Sequence, residues 1–111
     1  MDDARARELL NRERERIERA LADLEAPDPA RNEPRDATDD ATELFEEELD
    51  EGIAERLREE LGAVERAEER LAQGKYGISI ESGEPIPDGR LEAIPWAERT
   101  AEEQSRYERS R

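Results

Sequence analysis

The sequence predicts a mostly α-helical protein. An antiparallel coiled-coil hairpin spans residues 1–75, and a small irregular lobe with a short C-terminal helix spans residues 76–111. Three observations carry this. Charged residues make up 46% of the 111 and Leu, Ile, Val and Phe together only 18, too few for a large core but enough for a coiled coil, whose seam needs two positions in seven. Apolar residues recur at spacings of four and seven on both sides of a Pro-rich stretch. From Tyr76 onward that periodicity gives way to apolar residues punctuated by turn sequences.

The first helix is carried by Leu10, Ile17 and Leu24, seven apart, with Ala20 and Leu21 beside them. Arg and Glu interleave at i, i+3 and i+4 spacing, a pattern that supports an exposed helix face. Pro27, Pro29 and Pro34 then break the helix. The second helix follows Leu49, Ile53, Leu57 and Leu61, then Val64, Ala67 and Leu71, and ends at Gly74. Each stripe is too narrow to stand alone, so the two helices bury against each other. Lengths of ~25 and ~36 residues correspond to ~37 and ~54 Å. Counted outward from the loop, the first helix is expected to run out opposite Leu61. The last turns of the second then pack against the C-terminal segment.

Charge is distributed unevenly. Of a net charge of -15, residues 27–52 alone contribute -9, from 11 acids and 2 bases. The hairpin therefore carries an acidic tip around residues 27–42. Such a surface opposes direct binding to nucleic acid and fits a basic protein surface. With no Cys and no His, disulfides, thiolate or imidazole metal sites and His-based acid–base catalysis are excluded. No apolar run approaches a membrane span and no signal peptide opens the chain, so a cytoplasmic protein is expected. Without His, Cys or a glycine-rich phosphate loop it is expected to be no enzyme, to carry no cofactor or metal, and to act as a monomer, although heptads can also pair between chains.

In the lobe, Tyr76, Ile78, Ile80, Ile86, Leu91, Ile94 and Trp96 are apolar, and SGEP and PDGR are turns. Thr100 and Glu103 have the spacing of a capping box at the start of the last helix. A lobe of ~35 residues is too small to fold unaided and must dock on the long helix.

Residues 76–103, YGISIESGEPIPDGRLEAIPWAERTAEE, resemble the zinc-finger signature of the DksA/TraR family. That signature runs YG-x-C-x-x-C-GE-x-I-x-x-x-RLEA-x-P and then C-x-x-C. Tyr76, Gly77, Gly83, Glu84, Ile86, Arg90, Leu91, Glu92, Ala93 and Pro95 keep the framework. The four ligand positions are Ser79, Ser82, Thr100 and Glu103. Hydroxyls are poor zinc ligands and one Glu makes no site, so the resemblance implies a zinc-finger-like lobe without zinc. The capping box and apolar packing are expected to replace the metal, with packing carrying most of the load. Ser79 and Ser82 read as turn residues, not nucleophiles.

The hairpin resembles the family too. Asp36-Ala-Thr-Asp39-Asp-Ala41 matches a D-x-x-D-x-A tip motif, in register with the finger. The resemblance implies a transcription regulator that binds RNA polymerase, its arm entering the secondary channel and its tip residues Asp36, Asp39 and Ala41 near the active centre. It places Arg56 at the channel rim, although an ion pair with Glu59 or Glu60 suits that residue equally well. Where the family has cations for guanosine tetraphosphate, this chain has Ala63, Ile94 and Gln104. Two other readings stand beside this one. A transcript-cleavage factor of the Gre kind would hold magnesium with its tip acids. A coiled-coil adapter would have inherited only the scaffold.

Overall fold

The computed structural model describes residues 1–25 and 40–111, with residues 40–46 described by their backbone alone. Among the described residues four helices follow one another: α1 (Asp3–Glu25), α2 (Asp40–Ala72), α3 (Asp88–Ala93) and α4 (Ala101–Arg109). No strand forms among the described residues; a lone antiparallel bridge pairs Ile78 with Pro85. The Pro-rich stretch and most of the expected acidic tip, including Asp36 and Asp39, lie outside the described residues.

Helix α1 is capped by Asp2, whose side chain accepts the Arg5 N–H at 2.7 Å. Its 23 residues place Ala6, Leu10 and Ile17 on one face. These meet Leu57, Val64, Ala67 and Leu71 of α2, and Ala6, Leu10, Ile17, Val64 and Ala67 are fully buried. Ion pairs fix the antiparallel register: Arg14 reaches Glu68 at 3.2 Å, Arg16 reaches Glu60 at 3.4 Å, and Glu25 lies 3.7 Å from Arg58.

This register differs from the one expected from sequence. The first helix does not run out opposite Leu61. It covers α2 from about Ile53 to Leu71, and the N-terminal turns of α2 extend past Glu25. Counting outward from a tight loop misplaces the pair, because 14 residues separate Glu25 from Asp40. Leu49, expected in the apolar seam, is consequently 54% exposed.

Helix α2 ends as the sequence indicates. Gly74 adopts φ 73°, the left-handed conformation that ends many helices. The Lys75 N–H then bonds Arg70 O at 2.8 Å, and Gly74 N–H bonds Leu71 O at 3.1 Å. Gly77 is constrained twice, by φ 80° and by a Leu91 methyl 3.4 Å from where a Cβ would stand.

The lobe is built around Ile86, Leu91 and Ala97, with Ile94, Tyr76 and Met1 against them. PDGR, read as a turn, opens α3, whose single turn and a half buries Leu91. Tyr76 and Trp96 also join the hairpin cluster, so the lobe docks on the arm as its size requires. Two expected core residues are not core. Ile78 is 41% and Ile80 50% exposed, because the intervening Ser79 points inward and side chains of an extended segment alternate. Trp96 is likewise a docking residue and not the centre of the lobe.

Leu91→Ala is therefore expected to destabilise the lobe by about 2–5 kcal/mol, whereas Ile80→Ser should stay within about 0.5 kcal/mol of the parent. Chemical denaturation followed by Trp96 fluorescence reads both. Equal losses would show that the lobe core is misassigned.

Candidate functional site

The structure gathers the four positions Ser79, Ser82, Thr100 and Glu103 at one point, with the Glu103 carboxylate at the centre. Two elements bring them there. The Ser79–Ser82 turn is closed by Ser79 N–H to Glu84 O at 2.8 Å and Gly83 N–H to Ser79 O at 3.0 Å. The start of α4 is closed by a capping box: Thr100 N–H donates to Glu103 Oε1 at 2.9 Å, and Glu103 N–H donates to Thr100 Oγ1 at 3.3 Å.

Ser79 and Glu103 are both buried, at 4% and 5% exposure. A buried carboxylate needs donors, and this one has them. The hydroxyls of Ser79, Ser82 and Thr100 around it, with the Thr100 N–H that donates to it, favour the charged form and outweigh burial, holding its pKa down at about 2. The Ser79 oxygen also accepts N–H groups from Glu81 at 3.1 Å and Ser82 at 3.3 Å. Ser82 Oγ accepts Glu84 N–H at 3.2 Å. Both lone pairs of the Ser79 hydroxyl are thus taken.

The expected capping box is thus present but is half of the arrangement. Sequence reasoning missed that Glu103 also ties the Ser79–Ser82 turn to α4. The signal was available: three hydroxyls and one carboxylate occupy four positions that must converge.

Ion pairs fasten the lobe to the arm. Arg5 of α1 binds Glu92 through two nitrogens, at 3.1 and 2.9 Å. Arg66 and Arg70 of α2 reach Glu98 at 2.6 and 3.5 Å. Tyr76 donates its hydroxyl to Pro95 O at 2.8 Å, and burial pushes its pKa up to about 12. On the lobe surface Arg99 pairs with Glu81 at 3.0 Å and lies 3.9 Å over the Tyr107 ring.

The other candidates fare differently. Arg56 is exposed on α2 and pairs with neither Glu59 nor Glu60 among the described residues. Asp36 and Asp39 fall outside the described residues, and Ala41 is placed on α2 by its backbone alone. Ala63, Ile94 and Gln104 line one cleft of about 390 Å³ between α2, the lobe and α4. Four arginines that the sequence reading did not place there, Arg66, Arg90, Arg99 and Arg111, also line it, together with Glu98 and Glu108.

The profile of the prokaryotic dksA/traR C4-type zinc finger matches residues 74–109. The transcription factor DksA2 of Pseudomonas aeruginosa is 34% identical and superposes with a TM-score of 0.73, covering 97% of this chain and 84% of that one. The chain belongs to the DksA/TraR family. Among its DksA/TraR relatives, the RNA polymerase-binding transcription factor DksA of Caulobacter vibrioides is 36% identical over 74 residues, 67% of this chain and 52% of that protein. General stress protein 16O of Bacillus subtilis is 37% identical over 70 residues, 63% of this chain and 43% of that protein. The chain spans about a quarter to a half of the length of the curated relatives it matches.

The zinc of the C4-type finger does not fit the residues of this DksA/TraR member. The donor set is three hydroxyls and one carboxylate, with no thiolate or imidazole. The carboxylate is already engaged by the Thr100 N–H and sits among hydroxyls. Among the described residues no cluster of His, Cys, Asp and Glu is placed to hold a metal ion.

Melts of this lobe with zinc and with a chelator are expected to superimpose. Thr100→Ala should cost about 1 kcal/mol, as the loss of a helix cap does, and Glu103→Ala should cost more, since it also frees the serine turn. Because the Glu103 pKa is lowered on folding, its contribution is complete above the unfolded value near 4.5 and fades as pH falls toward about 2. A chelator-induced drop in melting temperature, or a Glu103→Ala protein as stable as Thr100→Ala, would contradict the assignment.

Proposed function

We propose that this protein regulates transcription by binding RNA polymerase directly, its helical arm entering the secondary channel and its acidic tip acting on promoter complexes. The observation that carries the reading is the joint match of arm and lobe to a DksA-type structure over nearly the whole chain. The Caulobacter relative, named as an RNA polymerase-binding factor, points to the partner. The physical arrangement is suited to the task. Helix α2 has 33 residues, ~50 Å, and its N-terminal turns extend past α1. A slender rod of that kind can enter a channel that a globular domain cannot. The acids Asp36 and Asp39, with Ala41, are assigned to the tip, and the exposed Arg56 to the channel rim.

Binding and effect are assigned to different parts of the chain. The arm and lobe supply apolar and ionic contact surface; the acidic stretch supplies charge. Asp36→Asn/Asp39→Asn should therefore pull down core RNA polymerase within a few-fold of the parent protein while losing its effect on promoter complexes. Loss of both together would overturn this division. A parent protein that captures no polymerase would leave the adapter reading, and cleavage of transcripts in stalled complexes would favour the Gre kind.

Guanosine tetraphosphate is expected to add little. The cleft lined by Ala63, Ile94 and Gln104 has arginines, but Arg66 is bound to Glu98, Arg99 to Glu81 and Arg90 to the Arg99 carbonyl, which leaves Arg111. A tetraphosphate needs several free charge-assisted donors. Transcription assays with and without the nucleotide should differ little; a large synergistic change would refute this.

A further inference from the structure

We propose that Glu98 is the positioning residue that sets the direction of the arm relative to the lobe. The inference rests on the polymerase reading above only in its functional consequence; its geometry stands alone.

Glu98 is where the parts of the molecule meet. Its carboxylate, 16% exposed, takes Arg66 Nε at 2.6 Å and Arg70 Nη1 at 3.5 Å, both from the last third of α2. Arg99 Nη1, from the lobe, is 4.0 Å away. Its backbone carbonyl accepts the Ile80 N–H at 2.9 Å, which joins it to the turn that Glu103 organises. One residue thus contacts the arm through its side chain and the serine turn through its main chain.

The charges make this contact specific. Arg70 is only 15% exposed, and its Nη2 is buried with no hydrogen-bond partner among the described residues. A guanidinium that is already short of acceptors cannot lose its carboxylate without leaving a largely buried charge uncompensated. Moving the lobe away from α2 would do that. Rotating it about α2 would trade one arginine against the other, because Arg66 and Arg70 sit one turn apart on the same face. The arrangement has one well-satisfied orientation. The Arg5–Glu92 pair secures the opposite side, from α1, but is solvent-exposed and screened.

Over the length of α2, a small change of angle at the lobe displaces the far end by several ångströms. A tip that acts at one point in a channel therefore needs the base of the arm fixed. Glu98→Gln keeps the shape and removes the charge; Glu98→Asp keeps the charge.

The chain has no cysteine, so Glu55→Cys on α2 and Glu102→Cys on α4, both exposed positions, can be spin-labelled selectively. Electron–electron distance measurement should give one narrow distribution in the parent background. Glu98→Gln should broaden it, and Glu98→Asp should restore most of the narrowness, while dispersed amide resonances of Ile86 and Leu91 show the lobe still folded. Arg66→Gln, which removes an exposed partner and buries nothing, should broaden it partially and serves if Glu98→Gln fails to fold. In transcription assays Glu98→Gln should keep polymerase capture and lose the promoter effect. A distribution as narrow in Glu98→Gln and Arg66→Gln as in the parent would overturn the inference. Polymerase capture by none of the proteins would overturn the functional reading while leaving the distance result to stand.

Discussion

The lobe is organised by a single buried carboxylate. Glu103 must be supplied with donors, and the Thr100 N–H together with the Ser79–Ser82 turn folded onto the start of α4 supplies them. Much else follows from that constraint. With Ser79 turned inward, Ile78 and Ile80 turn outward. The segment on either side of the turn is then placed for the Ile86 N–H to reach Gly77 O at 2.8 Å, which sets Ile86 and Leu91 facing each other as the small core. Tyr76 and Trp96 are left on the side that meets the hairpin.

A carboxylate is a weaker organiser than a metal. Structural zinc contributes on the order of 10–16 kcal/mol to the folding of small domains. A set of hydrogen bonds to one charged group does not approach that, since each replaces a bond to water. The lobe is correspondingly anchored from outside. Apolar contacts of Tyr76 and Trp96, the Arg5–Glu92 pair and the Glu98 arginines tie it to both long helices. Lobe and arm are in this sense one structure: the arm supplies surface that the lobe cannot provide for itself, and the lobe supplies the base from which the arm projects.

Much of the fold was legible in the sequence because it rests on periodicity and local chemistry. The seven-residue spacing of Leu10, Ile17 and Leu24 marks α1, Gly74 marks the end of α2, and Thr100 with Glu103 marks the cap of α4. What was not legible depends on distance in space. The register of α1 on α2 is decided by Leu10, Ile17, Val64 and Leu71 interlocking and by Arg14 finding Glu68, not by counting from a loop. The inward turn of Ser79 depends on a carboxylate 24 residues away. A stretch such as Tyr76–Ile80 reads as apolar in sequence, yet only alternate residues can face a core. Of the candidate site, the convergence of four positions was legible through a family resemblance; the hydrogen-bonded hub they form was not, because hydroxyl-for-thiolate replacement looks like simple loss until the donors are counted.

The most direct test of the account is a ¹³C NMR titration of the Glu103 side-chain carboxyl in the intact protein. The account predicts that its resonance stays at the ionised position through the range in which exposed glutamates titrate and moves only as pH approaches about 2. A midpoint near the ordinary value of 4.5 would show that the serine and threonine donors do not hold the carboxylate, and the proposed organisation of the lobe would fall with them.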